Sequence, residues 1–291
     1  MSLWKQFLLS LYYYGSAPAR GRQNVELRAC GQAPVLVFFY HRIADHRANA
    51  WTASNVMFAR QITWLKRHFQ LVSLGEAQRR LQSGANRHPC VAITFDDGYA
   101  ENCEHALPLL IAEQIPCTYF VSSRHILTGT PFPHDLAQGR PLAPNTPEQI
   151  KKLAQAGIEI GSHTRTHANL GRIKDPHLLY DEIVGSRDEL QSLTGTPIRY
   201  FAFPYGHPAN LSPAAFALAR DAGYEAACSA YGGFNFPGDD PFHLQRIHGD
   251  SSMIQMKNWA TLDPRKLHSI NRYDYQPKPC EAIAHTEEVF A

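Results

Sequence analysis

The stretch Pro89-Cys90-Val91-Ala92-Ile93-Thr94-Phe95-Asp96-Asp97-Gly98 decides how the rest of the chain is read. Six uncharged residues from Cys90 to Phe95, rich in β-branched and aromatic side chains, read as a strand buried on both faces, as in a parallel sheet. Two carboxylates then arrive together with a glycine behind them. Adjacent side chains on a regular strand face opposite ways, so Asp96 and Asp97 can share a site only where the chain turns, and Gly98 eases such a turn. A helix N-cap before Ala100 would account for one of the two acids and leave the other unexplained.

Similar apolar runs recur at 34–41, 70–74, 117–122, 158–162, 198–203, 225–229 and 242–248. Amphipathic patterns with helical spacing lie between them, at 57–68, 107–114, 148–156, 176–193 and 213–222. Gly157 and Gly223 stand where a helix would end and the next strand begin, the usual place of a glycine C-cap. Strands alternating with helices predict an α/β fold, a (β/α) barrel forming a single domain. The segment 128–147 holds five prolines and reads as a long loop at the barrel mouth.

Reactive groups of a parallel barrel gather at the carboxyl ends of its strands, and two further motifs sit there. His163-Thr164-Arg165-Thr166-His167 follows the run at 158–162, and Phe201-Ala202-Phe203-Pro204-Tyr205-Gly206 ends the run at 198–203. The histidines, four residues apart, can turn both rings to one ion if the segment coils helically. One carboxylate and two imidazoles suit a hard or borderline metal and leave the second carboxylate free to act as a base.

In their order along the chain these three motifs resemble the first three of the polysaccharide deacetylases, the NodB-homology group of carbohydrate esterases, over residues 34–250. The resemblance implies a distorted (β/α) barrel and the hydrolytic removal of an acetyl group from an N-acetylated sugar. It assigns Asp96 as general base and Asp97, His163 and His167 as ligands of a metal, usually Zn2+, with another divalent transition metal an alternative. It also makes the Tyr205 amide the candidate donor to the oxyanion. Where many members carry an arginine two residues before the third motif's proline, this chain has Ala202. Arg246, in a late segment Leu244-Gln245-Arg246-Ile247-His248, is the candidate to orient Asp96 instead, the alternative being a surface arginine. His248, two residues on and so on the same face of a strand, is the candidate acid.

Weaker signals surround these. His41, after Phe39 and Tyr40, resembles the Tyr-His start of one branch of the family and reads either as a substrate contact or as a buried, hydrogen-bonded histidine. Phe132, His134 and Asp135, with Tyr205, Tyr231 and Phe234, offer walls on which a sugar could stack. The expected reaction is thus N-deacetylation of an N-acetylhexosamine in a bacterial-type polysaccharide or glycan precursor. The competing readings are a hydrolase of a non-sugar amide, of deformylase or ureide type, and a glycan-binding pseudoenzyme.

Composition narrows the rest. The 291 residues can bury one large core, and 28 basic against 26 acidic residues, net +2, argue against a nucleic-acid partner. Six widely spaced cysteines without a C-x-x-C read as reduced, mostly buried thiols. The expected layout is an N-terminal amphipathic, aromatic segment over 1–33, the barrel over 34–262 and a polar tail over 263–291. The run Phe7-Leu8-Leu9-Ser10-Leu11-Tyr12-Tyr13-Tyr14 is too short to span a bilayer. It reads as a helix lying on a membrane or on the domain, with a cleaved signal as the alternative. A cytoplasmic or peripheral membrane location follows from the first reading and a secreted or periplasmic one from the second; oligomeric state is open.

Overall fold

The computed structural model describes residues 3–249, 252–267 and 272–276. Its centre is a parallel sheet. β1 (Val35–Tyr40), β2 (Gln70–Val72), β3 (Cys90–Phe95), β4 (Cys117–Val121), β5 (Glu159–Ser162), β6 (Tyr200–Ala202), β7 (Ala226–Cys228), β8 (His243–Leu244) and β9 (Ile247–His248) pair in the order β8-β7-β6-β5-β4-β3-β1-β9. One edge of β3 is shared: Cys90 to Ala92 pair with β2, while Ile93 to Phe95 pair with β4. That fork distorts the barrel.

The run at 242–248 is not the single strand its pattern suggests. It divides into β8, which pairs with β7, and β9, which pairs with β1. Only Gln245 and Arg246 lie between them, so the two ends of the curled sheet are joined by two residues. A strand that must leave one edge and join the other cannot keep a continuous ladder.

Strand periodicity divides the core in two. Val35, Val37, Cys90, Ala92, Phe120, Ala202, Cys228 and Leu244 pack inside the barrel, while Leu36, Phe38, Tyr40, Val91, Ile93 and Phe95 face the helices. Thr94 and Asp96 continue the inward parity of Cys90 and Ala92, and Arg246 continues that of Leu244. The parity of the sequence therefore delivers the site to the end of the barrel interior.

The covering helices start where their caps dictate. α3 (Asn55–His68) begins after Ser54, whose side chain accepts from Met57 N, and buries Phe58, Ile62 and Leu65. α4 (Leu74–Gln82) packs against the inner cluster, whereas α5 (Ala106–Ala112), α6 (Pro147–Gln155), α7 (Ser186–Thr194) and α8 (Pro213–Asp221) follow the strands round the sheet. α4 escaped the sequence reading, its Arg-rich polar half masking Leu74, Ala77 and Leu81, which it buries. The helical pattern at 176–193 contains a π-helical turn, Asp181–Gly185. Within the proline-rich segment a short helix, Pro133–Ala137, replaces part of the expected loop.

Before the barrel come α1 (Leu3–Gly15) and α2 (Ala17–Ala29), and after it α9 (Met253–Ala260) and a short helix, Pro264–Leu267. Of the tail at 263–291, residues 263–267 and 272–276 are described; there Tyr275 stacks on Phe216, with ring centroids 4.0 Å apart. Five cysteines, Cys30, Cys90, Cys103, Cys117 and Cys228, are free thiols, three of them buried, and Cys280 lies outside the described residues.

Candidate metal centre and active site

Asp96 extends β3, its amide donating to Tyr40 O at 2.8 Å. The turn that the acid pair requires comes one residue earlier than Gly98. Asp97 itself adopts a left-handed backbone, φ 73°, and Gly98 follows at φ 102°. A side chain on Gly98 would press on Ile126 and Val121. The left-handed step swings Asp97 from the outward parity to the side of Asp96, and both carboxylates are buried.

His163 and His167 converge differently from the helical turn that their spacing suggested. The segment after β5 is irregular, with Thr164 at φ 63° and His167 at φ 58°, and no helix forms over 163–168. Glu182, carried on the π-helical turn and unmarked in the sequence, holds this loop. Its carboxylate accepts from Arg165 N at 3.0 Å, Thr166 N at 2.9 Å and Thr166 Oγ1 at 2.5 Å. In a helical pattern Glu182 reads as one more solvated charge, so nothing in the sequence distinguishes it.

The outcome is a three-ligand pocket. Ligand atoms of Asp97, His163 and His167 all lie within 4.8 Å of one another. Asp97 Oδ1 is 3.1 Å from His167 Nε2 and 3.5 Å from His163 Nε2, and this buried oxygen has no hydrogen bond in good geometry. His163 Nδ1 lies 2.8 Å from Ala202 O; a carbonyl only accepts, so the proton sits on Nδ1 and the lone pair of Nε2 points at the cluster. An orphaned carboxylate oxygen facing an imidazole lone pair fits a divalent cation.

Asp96 has a different partner. Arg246, fully buried, donates from Nη1 to Asp96 Oδ1 at 2.6 Å and from Nη2 to Oδ2 at 2.8 Å. Its Nε donates to Ser229 O at 3.0 Å, and the guanidinium lies 4.8 Å from the Phe39 ring centroid and 5.3 Å from that of Phe120. Burial would push Asp96 upward, but the charge of Arg246 outweighs it and keeps the carboxylate ionised. Arg246 is thus no surface arginine, and it stands beside the carboxylate although Ala202 occupies the expected position.

Above these groups opens a cavity of about 460 Å3. Tyr205, at φ 62°, flanks it with its ring 5.1 Å from that of His167. His248 also lines it, its ring 5.1 Å from Phe39, 5.4 Å from Trp51 and 5.8 Å from His41. His134 lines the cavity as well, from the short helix Pro133–Ala137. Four of the residues marked as sugar-stacking candidates do not line it. Phe132 and Asp135 are buried against Tyr99, Phe234 packs on Trp259 and the Tyr231 hydroxyl bonds Tyr273 N. Trp51 went unmarked, although a large aromatic directly after the stretch His46-Arg47-Ala48-Asn49-Ala50 is itself a signal.

Comparison with known proteins fits this geometry. The chain is 28% identical over 176 residues to YxkH of Bacillus subtilis (strain 168), whose name places it among the polysaccharide deacetylases; the match covers 60% of this chain and 57% of that protein. It is 27% identical over 132 residues to a chitooligosaccharide deacetylase of Bradyrhizobium sp. (strain ANU 289), covering 45% of this chain and 52% of that one. The chain thus spans little more than half the length of these relatives. The structure of IcaB from Ammonifex degensii superposes with a TM-score of 0.65 at 23% identity, over 79% of this chain and 97% of that one, a likeness of fold. The family model described as polysaccharide deacetylase matches residues 83–227. That segment holds the strand ending in Asp96 and Asp97 and the loop of His163 and His167, and the chain belongs to the polysaccharide deacetylase family.

Proposed function

We propose that this protein is a metal-dependent hydrolase that removes N-acetyl groups from N-acetylhexosamine units of a polysaccharide or glycan precursor. The observation that carries the reading is that the two neighbouring acids have different partners. Asp97 faces His163 and His167, while Asp96 is held apart by Arg246. A divalent ion held by Asp97, His163 and His167, Zn2+ being the first candidate, would supply Lewis acidity, polarising the amide carbonyl and acidifying water. The residues do the rest. Asp96, kept ionised and oriented by Arg246, takes a proton from the attacking water. The Tyr205 amide is the candidate donor to the oxyanion that develops on the carbonyl oxygen. His248, lining the same cavity, is the candidate to return a proton to the departing amine.

The test is acetate release by the purified protein from chitooligosaccharides and poly-N-acetylglucosamine, with and without a chelator. Chelator-sensitive release from a glycan is expected. Hydrolysis of small amides without release from any glycan would transfer the site to a non-sugar substrate. A metal-loaded protein that binds glycan without turnover would mark a pseudoenzyme.

A further inference from the structure

Helix α1 presents its broader apolar face to solvent. Trp4, Phe7, Leu8, Leu11 and Tyr14 recur at intervals of three and four, so they form one stripe, and each is between 47% and 68% exposed. The helix is nonetheless fixed to the domain by its other side. Tyr12 donates to Asp263 Oδ1 at 2.8 Å. Just beyond, buried Arg20 of α2 donates to Asn258 O at 2.9 Å, Asn258 Oδ1 at 2.7 Å and Thr261 Oγ1 at 3.1 Å. Five large apolar side chains are thereby held out in water by a firmly docked scaffold, the kind of exposed patch that marks an interaction site.

Charge identifies the partner. No acid occurs in the sequence before Glu26. Buried Arg20 aside, α1, α2 and the segment 252–267 to which they are tied carry six Lys and Arg against two acids, Glu26 and Asp263, in a chain whose net charge is only +2. One of those acids, Asp263, is already paired with Arg265. A basic surface around an apolar stripe, with Trp4 and Tyr14 at its two ends, matches an anionic lipid interface. A second copy of the chain is the poorer match, because a two-fold contact through this face would set one basic rim against another. The helix has 13 residues, too few to cross a bilayer, and no described helix is long and apolar enough to do so.

We propose that α1 is an interfacial anchor that lays Trp4, Phe7, Leu8, Leu11 and Tyr14 into the surface of an anionic membrane while the barrel remains in water. This attachment does not depend on the chemistry assigned to the site. It is tested by floating the full chain with vesicles of phosphatidylcholine, with and without phosphatidylglycerol. The chain is expected to float with the anionic vesicles and to be released by salt. Leu8→Glu combined with Leu11→Glu should lower partitioning roughly tenfold or more, with an unchanged thermal midpoint because both side chains face solvent. Failure of the unaltered chain to float, or equal flotation of the double variant, would overturn the proposal. So would a dimer in sedimentation velocity that the double variant converts to monomer without any vesicle binding, which would give the stripe to a second copy.

Discussion

Asp96 and Arg246, 150 residues apart in sequence, meet as a bidentate pair inside the barrel, with both contacts at or below 2.8 Å. The guanidinium packs against Phe39 and Phe120, so Arg246 has no water as a substitute partner, while Asp96 borders the cavity. Removing one partner of such a buried pair costs on the order of 3–5 kcal/mol, because the other charge is left uncompensated.

Arg246→Met should therefore both destabilise the fold by about that amount and abolish most turnover, read by urea denaturation and by acetate release. Arg246→Lys keeps the charge but not the planar fork. Stability should largely recover while the rate stays depressed by roughly a hundredfold, the cost of a misplaced catalytic group. Full activity in the lysine variant would show that orientation of Asp96 is unimportant.

Metal content and proton transfer should separate cleanly between the adjacent acids. Asp97→Ala and His163→Ala are expected to leave the purified protein without stoichiometric metal, measured by elemental analysis. Asp96→Asn should retain the metal and lose most activity. Equal metal loss in both aspartate variants would contradict the division of roles.

Glu182 touches neither the cavity nor the cluster, yet it fixes the backbone between the two histidines. Glu182→Ala removes the carboxylate that accepts from Arg165 N, Thr166 N and Thr166 Oγ1. Metal affinity, measured by competition with a chromogenic chelator, should fall about 10–100-fold, the range for groups that orient ligands. An unchanged affinity would reduce Glu182 to a packing residue.

His243, buried under Phe216 and bonded to Ser229 Oγ at 2.9 Å, should make the fold acid-sensitive. Burial first, and then the charge of Arg272, lowers its pKa from 6.5 to about 4. The unfolded chain takes up this proton near pH 6.5 and the folded one only near pH 4. The contribution is therefore intact above pH 6.5 and is lost as pH falls towards 4, by up to ~3 kcal/mol. Denaturation midpoints recorded from pH 7.5 to 4 should decline in the native chain and decline less in His243→Gln. Parallel curves would assign the acid sensitivity to other groups.

Most of this architecture was legible from strand parity and punctuation. The alternation that puts Cys90, Ala92 and Thr94 inside also puts Asp96 there, and Leu244 does the same for Arg246. What stayed hidden was local backbone conformation. Asp and His enter the left-handed region more readily than most residues, but residue type does not mark which of them do so, and at Asp97, Thr164 and His167 the choice is made by the folded surroundings. Division of the run at 242–248 was hidden for a related reason: pairing partners are a property of the closed sheet, whereas periodicity reports only which face is buried. Glu182 and Trp51 depend on the path of a helix and a loop in three dimensions, which a linear pattern does not encode.

The seam between β8 and β9 makes competence depend on the chain being finished. All three candidate metal ligands are present once His167 has been made, but the arginine that grips Asp96 arrives only with residue 246, one of the two residues that join the sheet's edges. A polypeptide interrupted before that point carries Asp96 with no fork to grip it, and the inner strands with two raw edges open to other chains. The closing step is also a contact of long sequence separation, a kind that forms slowly. Joining of the sheet's edges and the gripping of Asp96 are one event, and an incomplete chain possesses neither.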